Sequence, residues 1–347
     1  MEPKPFNNCP PLDGYHCQTN SLAKIFHFYG HPLSEDLLLG LGSGMGFIYW
    51  KMKMGTEEYV FIGGRSNNNS FFDDIGQRTG VTIRVISTGS ARKAEEILLG
   101  KLKNEEPVML FGDMGFLPWF KFPTEYHFGG HTYVACGYDG RDTVLCSDME
   151  PETTGLKKGF YHSVTLEQLQ KARGSTFKPF PPQNTYLEFD FRTFHQPQTE
   201  DMYSAIRQTV DSQMNPPIKN IGIKGIKYTA KELLKWPSFF SDHELRMNLF
   251  TLYIFIEVGG TGGGCFRYMY SRFLEEAARL TTNLRLLGPA AKFKESGKLF
   301  SSAAQFFKDA EKATDLNDKI RMAVNYFNEI SEIETEAFIE LSDAISS

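Results

Sequence analysis

Leu12-Asp13-Gly14-Tyr15-His16-Cys17-Gln18-Thr19-Asn20-Ser21-Leu22-Ala23-Lys24-Ile25-Phe26 is the stretch on which the fold class turns. Leu22, Ile25, Phe26 and Tyr29 recur at helical spacing and Gly30 ends the run, which predicts an amphipathic helix. Asp13 and Gly14 are turn residues, so Cys17 falls where a turn becomes a helix. A thiol there lies beside the unpaired first N–H groups and the positive end of the helix dipole. Both favour thiolate over thiol, and the same N–H groups can donate to an oxyanion. The competing reading of any such residue is a small, buried, inert cysteine.

A cysteine nucleophile needs an imidazole within hydrogen-bond reach. Of the 8 histidines, His131 opens the strand-like run HTYVACGYDG, directly behind Gly129 and Gly130, whose lack of side chains lets another chain segment approach. His16 adjoins Cys17, but adjacent side chains diverge. His27 and His31 belong to the helix and its end, and His127 and His162 are the rivals. The base in turn needs an acceptor to orient it. Gly137-Tyr138-Asp139-Gly140 turns the His131 strand into a second strand, RDTVLCSDM. Counted from that turn, His131 and Asp148 stand at similar distances on opposite arms. Paired strands run about 4.8 Å apart, which brings the two side chains within reach.

Further out, the pattern up to residue 194 mixes strands and helices. FIYWKM, EEYVFIGG, TIRVIS, VMLFGDM and TYLEFDF read as strands; SFFDDIGQRTG, ARKAEEILLGKLKNEE and LEQLQKAR read as helices, the last capped by Thr165. The polar, proline-bearing FHQPQTE predicts a boundary, giving domains at 1–194 and 195–347. Downstream the pattern is helical: 200–214, 228–235, 242–257, 266–287, 290–313 and 317–345. The expectation is therefore an α+β chain. Its first domain carries the cysteine helix on an antiparallel sheet, and a mainly α-helical second domain would serve as substrate cover or partner surface.

Composition narrows the function. A net charge of −5 argues against nucleic-acid binding. No run of about 18 apolar residues predicts a membrane span, and the N-terminus does not read as a signal peptide. Cys9, Cys17, Cys136, Cys146 and Cys265 are odd in number and scattered, with no CxxC pair. They read as free thiols of a cytoplasmic protein, not as a disulfide framework or zinc site. No cluster has metal-ligand spacing. Asp73, Asp74, Glu95 and Glu96 read as solvated helix faces.

The run Gly40 to Gly46 lacks the lysine and hydroxyl ending of a phosphate loop and precedes a strand. It reads as a tight turn that would bring Gly44 and Tyr49 to an acyl channel. Gly259 to Gly264 precedes a helix, so its N–H groups, with Arg267 and Tyr268, could contact substrate or an anion; the alternative is a close crossing of two helices.

Tyr15-His16-Cys17-Gln18-Thr19-Asn20-Ser21-Leu22, then Pro32-Leu33-Ser34-Glu35-Asp36 and Gly40-Leu41-Gly42-Ser43-Gly44-Met45-Gly46-Phe47-Ile48-Tyr49, resemble the N-terminal domain of the butirosin biosynthesis protein H family. That domain is similar to papain-like, C39-type bacteriocin-processing peptidases. The His131 and Asp148 segments resemble theirs, and the C-terminal half resembles the uncharacterised helical domain that often follows in the family. The resemblance implies a papain-like fold, a Cys17–His131–Asp148 triad and acyl transfer, which in the namesake runs from a carrier-protein thioester to an amine. The peptidases place a glutamine before the cysteine as oxyanion donor. Here that region reads Asn7-Asn8-Cys9-Pro10-Pro11, leaving Asn8, Gln18 or backbone N–H groups. The expected function is a cysteine acyltransferase with no cofactor of its own, a small amine acceptor, and a thioester donor, either phosphopantetheine-borne on an acyl carrier protein or free. The alternatives are a cysteine peptidase or amidase and a non-catalytic binding protein. A homo-oligomer is compatible with all three.

Overall fold

The computed structural model describes residues 2–54, 57–66, 69–122, 126–150 and 155–346. In chain order the elements are α1 (Cys17–Phe28), α2 (Glu35–Leu41), β1 (Met45–Met54), β2 (Glu57–Arg65), α3 (Phe71–Thr79), β3 (Thr82–Ile86), α4 (Ala91–Lys103), β4 (Val108–Gly112), β5 (His131–Tyr138), β6 (Thr143–Met149), β7 (Gly159–Thr165), α5 (Leu166–Arg173) and β8 (Tyr186–Asp190). Seven helices follow: α6 (Thr199–Met214), α7 (Gly222–Leu233), α8 (Trp236–Phe239), α9 (Asp242–Tyr253), α10 (Arg267–Leu280), α11 (Leu287–Asp309) and α12 (Leu316–Ile345). Two compact units result. Met1–Leu38 and Gly80–His195 make the first, and Leu39–Thr79 and Gln196–Ser347 the second.

The first unit is built on a sheet of order β3-β8-β4-β5-β6-β7 whose paired strands are antiparallel throughout. β4 and β5 are buried almost end to end, as strands covered on both faces must be. On one face Leu98, Leu102, Leu169 and Ala172 from α4 and α5 pack on Val108, Leu110, Tyr133, Ala135 and Val144. On the other face α1 packs across β4, β5 and β6, and its Ser21 hydroxyl meets that of Thr132 at 3.5 Å.

The α1 pattern reads as amphipathic, yet every residue from Thr19 to Phe26 is buried. The polar members Thr19 and Asn20 are held inside by hydrogen bonds to Glu35, so polarity there marks internal structure and not a solvent face. β7, GFYHSVT, has no clean alternation in its sequence and was not expected as a strand; its register on β6 sets Phe160 opposite Asp148.

The second unit carries the antiparallel β1–β2 hairpin and the helices from α6 onward. Three expected helices differ in outline, the first being the run expected at 228–235, which starts earlier and forms α7, Gly222–Leu233. The run 242–257 leaves α-helical geometry at Tyr253 and finishes as a wider turn over Ile254–Val258. The run 266–287 breaks after Leu280, where Thr282 takes a left-handed φ of 53°. The Asn283 side chain then caps a short 3-10 turn by accepting from Arg285 N–H, and Pro289 sits in the first turn of α11, where its missing N–H costs nothing. Among the described residues no helix is long and apolar enough to cross a membrane.

Candidate active site

Glu35, in the first turn of α2, sets the approach to Cys17. Its buried carboxylate accepts from Tyr15 N–H (3.0 Å), His16 N–H (3.2 Å), Thr19 Oγ1 (2.7 Å) and Asn20 Nδ2 (3.4 Å). His16, the N-cap of α1, makes no side-chain cap; Glu35 replaces it from a distant segment and ties down the turn that presents the thiol. Gly14 permits this contact, because a Cβ there would stand 2.0 Å from Glu35 Oε1. Gly14 also exchanges two 2.8 Å backbone hydrogen bonds with Lys157. Burial raises the Glu35 pKa in spite of its four donors. Glu35→Ala is expected to destabilise the chain by about 2–4 kcal/mol, since it strands buried N–H donors, and to slow Cys17 alkylation below the Glu35→Gln variant. Urea unfolding and alkylation rates check both; equal alkylation by the two variants would remove Glu35 from the positioning of the thiol.

Cys17 is half-buried. Burial pushes its pKa up, but hydrogen bonds from His131, the charge of His131, and the N–H and hydroxyl of Thr132 outweigh it, and the net shift is downward. His131 Nε2 lies 2.7 Å from Asp148 Oδ2, which leaves Nδ1 for the sulfur. Burial opposes protonation of His131; the Asp148 carboxylate and the Cys17 sulfur reverse this and push its pKa up to about 10. Each group shifts the other toward its charged form, the direction that a thiolate–imidazolium pair requires.

Asp148 is itself enclosed. Its Oδ2 also accepts from Trp119 Nε1 (2.8 Å), and its Oδ1 from Met149 N–H (2.8 Å). Burial raises its pKa, yet His131, Lys24 and the Met149 N–H bring it below the usual carboxylate value. Lys24 is fully buried, and its Nζ has no hydrogen-bond partner among the described residues. Burial lowers its pKa against the attraction of Asp148, Cys136, Glu35 and Cys9. Lys157 stands within electrostatic range of Cys17 and Asp148 as well, its pKa also lowered by burial. Trp119 is wedged between His162, on which it stacks at 4.6 Å, and the Tyr133 ring.

Of the rival histidines, His127 is engaged elsewhere, whereas His162 lies beside the site on Trp119, with no hydrogen-bond partner for its Nε2 among the described residues. His127 Nδ1 lies 2.9 Å from Asp113 Oδ2, and its ring stacks on Phe177 at 3.5 Å. Asp113 is a loop organiser that also accepts from Ser175 Oγ and from the N–H groups of Gly115 and Phe128. Burial lowers the His162 pKa.

Cys17, His131 and Asp148 therefore come together. Asn8 is exposed in a turn at φ 61°; Gln18 is half-buried in the first turn of α1. Gly44, Tyr49, Arg267 and Tyr268 belong to the second unit. At Gly44 a Cβ would meet Phe71 at 2.8 Å, so the turn is closed by packing. Two of the expected substrate contacts are buried side chains with partners of their own. Tyr49 is a core residue whose hydroxyl takes a hydrogen bond from Trp236 Nε1 (3.3 Å). Arg267 is wholly buried and spends its guanidinium on Glu334, Gly46 O and Cys265 O. Tyr268 is half-buried, with its hydroxyl 3.2 Å from Ser301 Oγ. Glu35, Trp119 and Lys24 were not foreseen from the sequence.

Residues 16–149 match the family described as Butirosin biosynthesis protein H, N-terminal, and residues 167–341 match Domain of unknown function (DUF4872). No curated protein matches the chain.

Proposed function

The chain belongs to the butirosin biosynthesis protein H family, with the DUF4872 domain following the N-terminal one, and from that premise we propose that it is a cysteine acyltransferase with a papain-like site, moving an acyl group from a thioester to an amine. The observation that carries this reading is the buried hydrogen-bonded series from Cys17 through His131 to Asp148.

Cys17 Sγ attacks the thioester carbonyl carbon. The C–S bond to the donor breaks, and the His131 imidazolium gives its proton to the departing thiolate. In this reading the backbone N–H groups at the start of α1 stabilise the oxyanion. Acylation consumes the thiolate, one of the two anions that hold the His131 pKa up, so the neutral imidazole becomes a competent base. The acceptor amine then attacks the acyl carbon, its proton passes to His131, the acyl–sulfur bond breaks, and the ion pair is restored. Asp148, fixed by Trp119 and Met149 N–H, keeps the imidazole in the tautomer both steps need. The reaction calls for no cofactor beyond a donor such as a phosphopantetheine thioester, free or on an acyl carrier protein.

The pH behaviour follows from the signs of the shifts. Below the lowered Cys17 pKa the thiol is protonated and reactivity falls; above about 10 His131 loses its proton and the pair is lost. Alkylation of Cys17 by iodoacetamide at pH 6 is expected to run at least roughly tenfold faster than that of a free cysteine. A rate no faster than the free thiol would remove the ion pair and the mechanism with it. N-Acetylcysteamine thioesters, supplied with and without amines, then separate transfer from hydrolysis by the product formed. Free acid alone, at the same rate with amine present, would make the protein a hydrolase.

A further inference from the structure

A series of aromatic rings runs outward from the catalytic imidazole. Phe120 meets His131 edge-on at 5.0 Å and 82°. Phe122 stacks on Phe120 at 5.5 Å and 12°. Tyr126 packs on Phe122 at 4.5 Å. The outer two rings are open to solvent, 39% for Phe122 and 43% for Tyr126. Keeping adjoining aromatic rings exposed to water is unfavourable and a covering ligand relieves it, so an exposed apolar patch of this kind marks a contact surface. Among the described residues, the Phe122 ring is linked to the site through Phe120. Continuity with His131 names the occupant: His131 bonds the Cys17 sulfur and meets Phe120, so the rings begin beside whatever that sulfur carries.

We infer that Phe120, Phe122 and Tyr126 form the wall along which the acyl group of the donor lies, so that the protein selects apolar acyl groups, aryl or straight-chain alkyl of about six carbons, over acetyl. The inference deepens the acyltransferase reading and rests on it for the word acyl. The wall itself needs only a reactive Cys17. A short acyl group would reach no further than Phe120, because one methylene advances a chain by little over 1 Å and the ring centroids from His131 to Phe122 are spaced 5.0 and 5.5 Å apart. Each methylene moved from water onto an apolar surface is worth about fourfold when fully covered. Half-exposed rings give less per carbon, but summed over a hexyl chain the preference remains large.

The first arm of the test uses N-methyl, N-hexyl and N-benzyl chloroacetamides on the full chain, with Cys17 modification followed by mass spectrometry. Rates are divided by those of the same reagents with N-acetylcysteine. The corrected N-hexyl to N-methyl ratio is expected to be at least about 10, and the double variant Phe122→Ser, Tyr126→Ser is expected to bring it near 1. An unfolded fraction would also give a ratio near 1, so the double variant is read only where its circular dichroism and its absolute N-methyl rate match those of the unaltered chain. A ratio near 1 in the unaltered chain, or the same high ratio in the double variant, overturns the wall. The second arm uses acetyl, hexanoyl and phenylacetyl N-acetylcysteamine thioesters, with acylation of Cys17 expected to follow the same order. A high chloroacetamide ratio with no acylation by any thioester would keep the apolar subsite and discard acyl transfer. Acylation at one rate across the series would keep transfer and discard the wall.

Discussion

Cys17→Ser is expected to lower acyl transfer from a model thioester by at least about 10³-fold, with little change in the unfolding midpoint. The size follows from what the site supplies. Its hydrogen bonds from His131 and Thr132 lower a thiol pKa that already lies within a few units of neutrality. The same donors cannot ionise a serine hydroxyl, and the shorter C–O bond draws the nucleophile back from the acyl carbon. What survives is the binding and oxyanion contribution, which in acyl-transfer enzymes leaves a small residual rate. The fold should tolerate the change because Cys17 is half-buried, outside the packed face made by Leu22, Ile25 and Phe26. Asp148→Asn tests the next link. The amide would present a donor where His131 needs an acceptor, and it would leave Lys24 without the first of the anions that attract it, so activity and stability should both drop. Single-turnover acylation followed by mass spectrometry measures the first effect. A serine variant retaining a tenth of the native rate would mean that the sulfur does not carry the acyl group.

The part of this site that could be read from the chain is the part made by local rules. A turn into a helix positions Cys17, and a hairpin positions His131 and Asp148. The register shows why counting from the turn came close without being complete. Val134 faces Ser147, and an irregularity between Ala135 and Gly137 shifts the pairing beyond it. Extended to the strand ends, that register sets Tyr133, not His131, opposite Asp148, so the His131–Asp148 pair is diagonal. A diagonal neighbour lies within reach of a long side chain such as histidine. What escaped the sequence is long-range. Glu35 caps a helix that starts eighteen residues earlier and belongs to another element, and Trp119 reaches Asp148 from an irregular segment. Nothing in the local pattern of residues 39–79 says that they join the distal helices instead of the strands flanking them. Buried lysine is the hardest of all to foresee: Lys24 occupies a helix position where a charged residue ordinarily means solvent.

Glu334→Ala should destabilise the second unit by about 3–5 kcal/mol, the largest stability effect expected of any single truncation there. Arg267 and Glu334 are 0% and 1% exposed and meet through two hydrogen bonds, Nε to Oε1 at 2.7 Å and Nη2 to Oε2 at 3.0 Å. Removing the carboxylate leaves a guanidinium that cannot shed its proton in a place water does not reach. Ser296 Oγ, which also donates to Glu334, loses its acceptor as well. The backbone bonds from Nη1 to Gly46 O (2.6 Å) and Cys265 O (2.8 Å) would persist, but neutral carbonyls compensate only part of a full charge. They matter for another reason. Gly262, Gly263, Gly264, Cys265 and Phe266 all have left-handed backbone, with φ between 54° and 82°; glycine accepts that conformation freely, whereas Cys265 and Phe266 do so at a cost. The Arg267 contact to Cys265 O is one of the interactions that oppose that cost. The double variant Arg267→Met, Glu334→Leu separates the two contributions. It leaves no buried charge, so it should recover most of the lost stability, and what it fails to recover measures the support the arginine lends the left-handed turn. Urea unfolding followed by circular dichroism, where the helices of this unit dominate, gives both numbers. A single variant losing less than about 1 kcal/mol, or a double variant no more stable than the single, would show that the ion pair is not what holds α10 to α12.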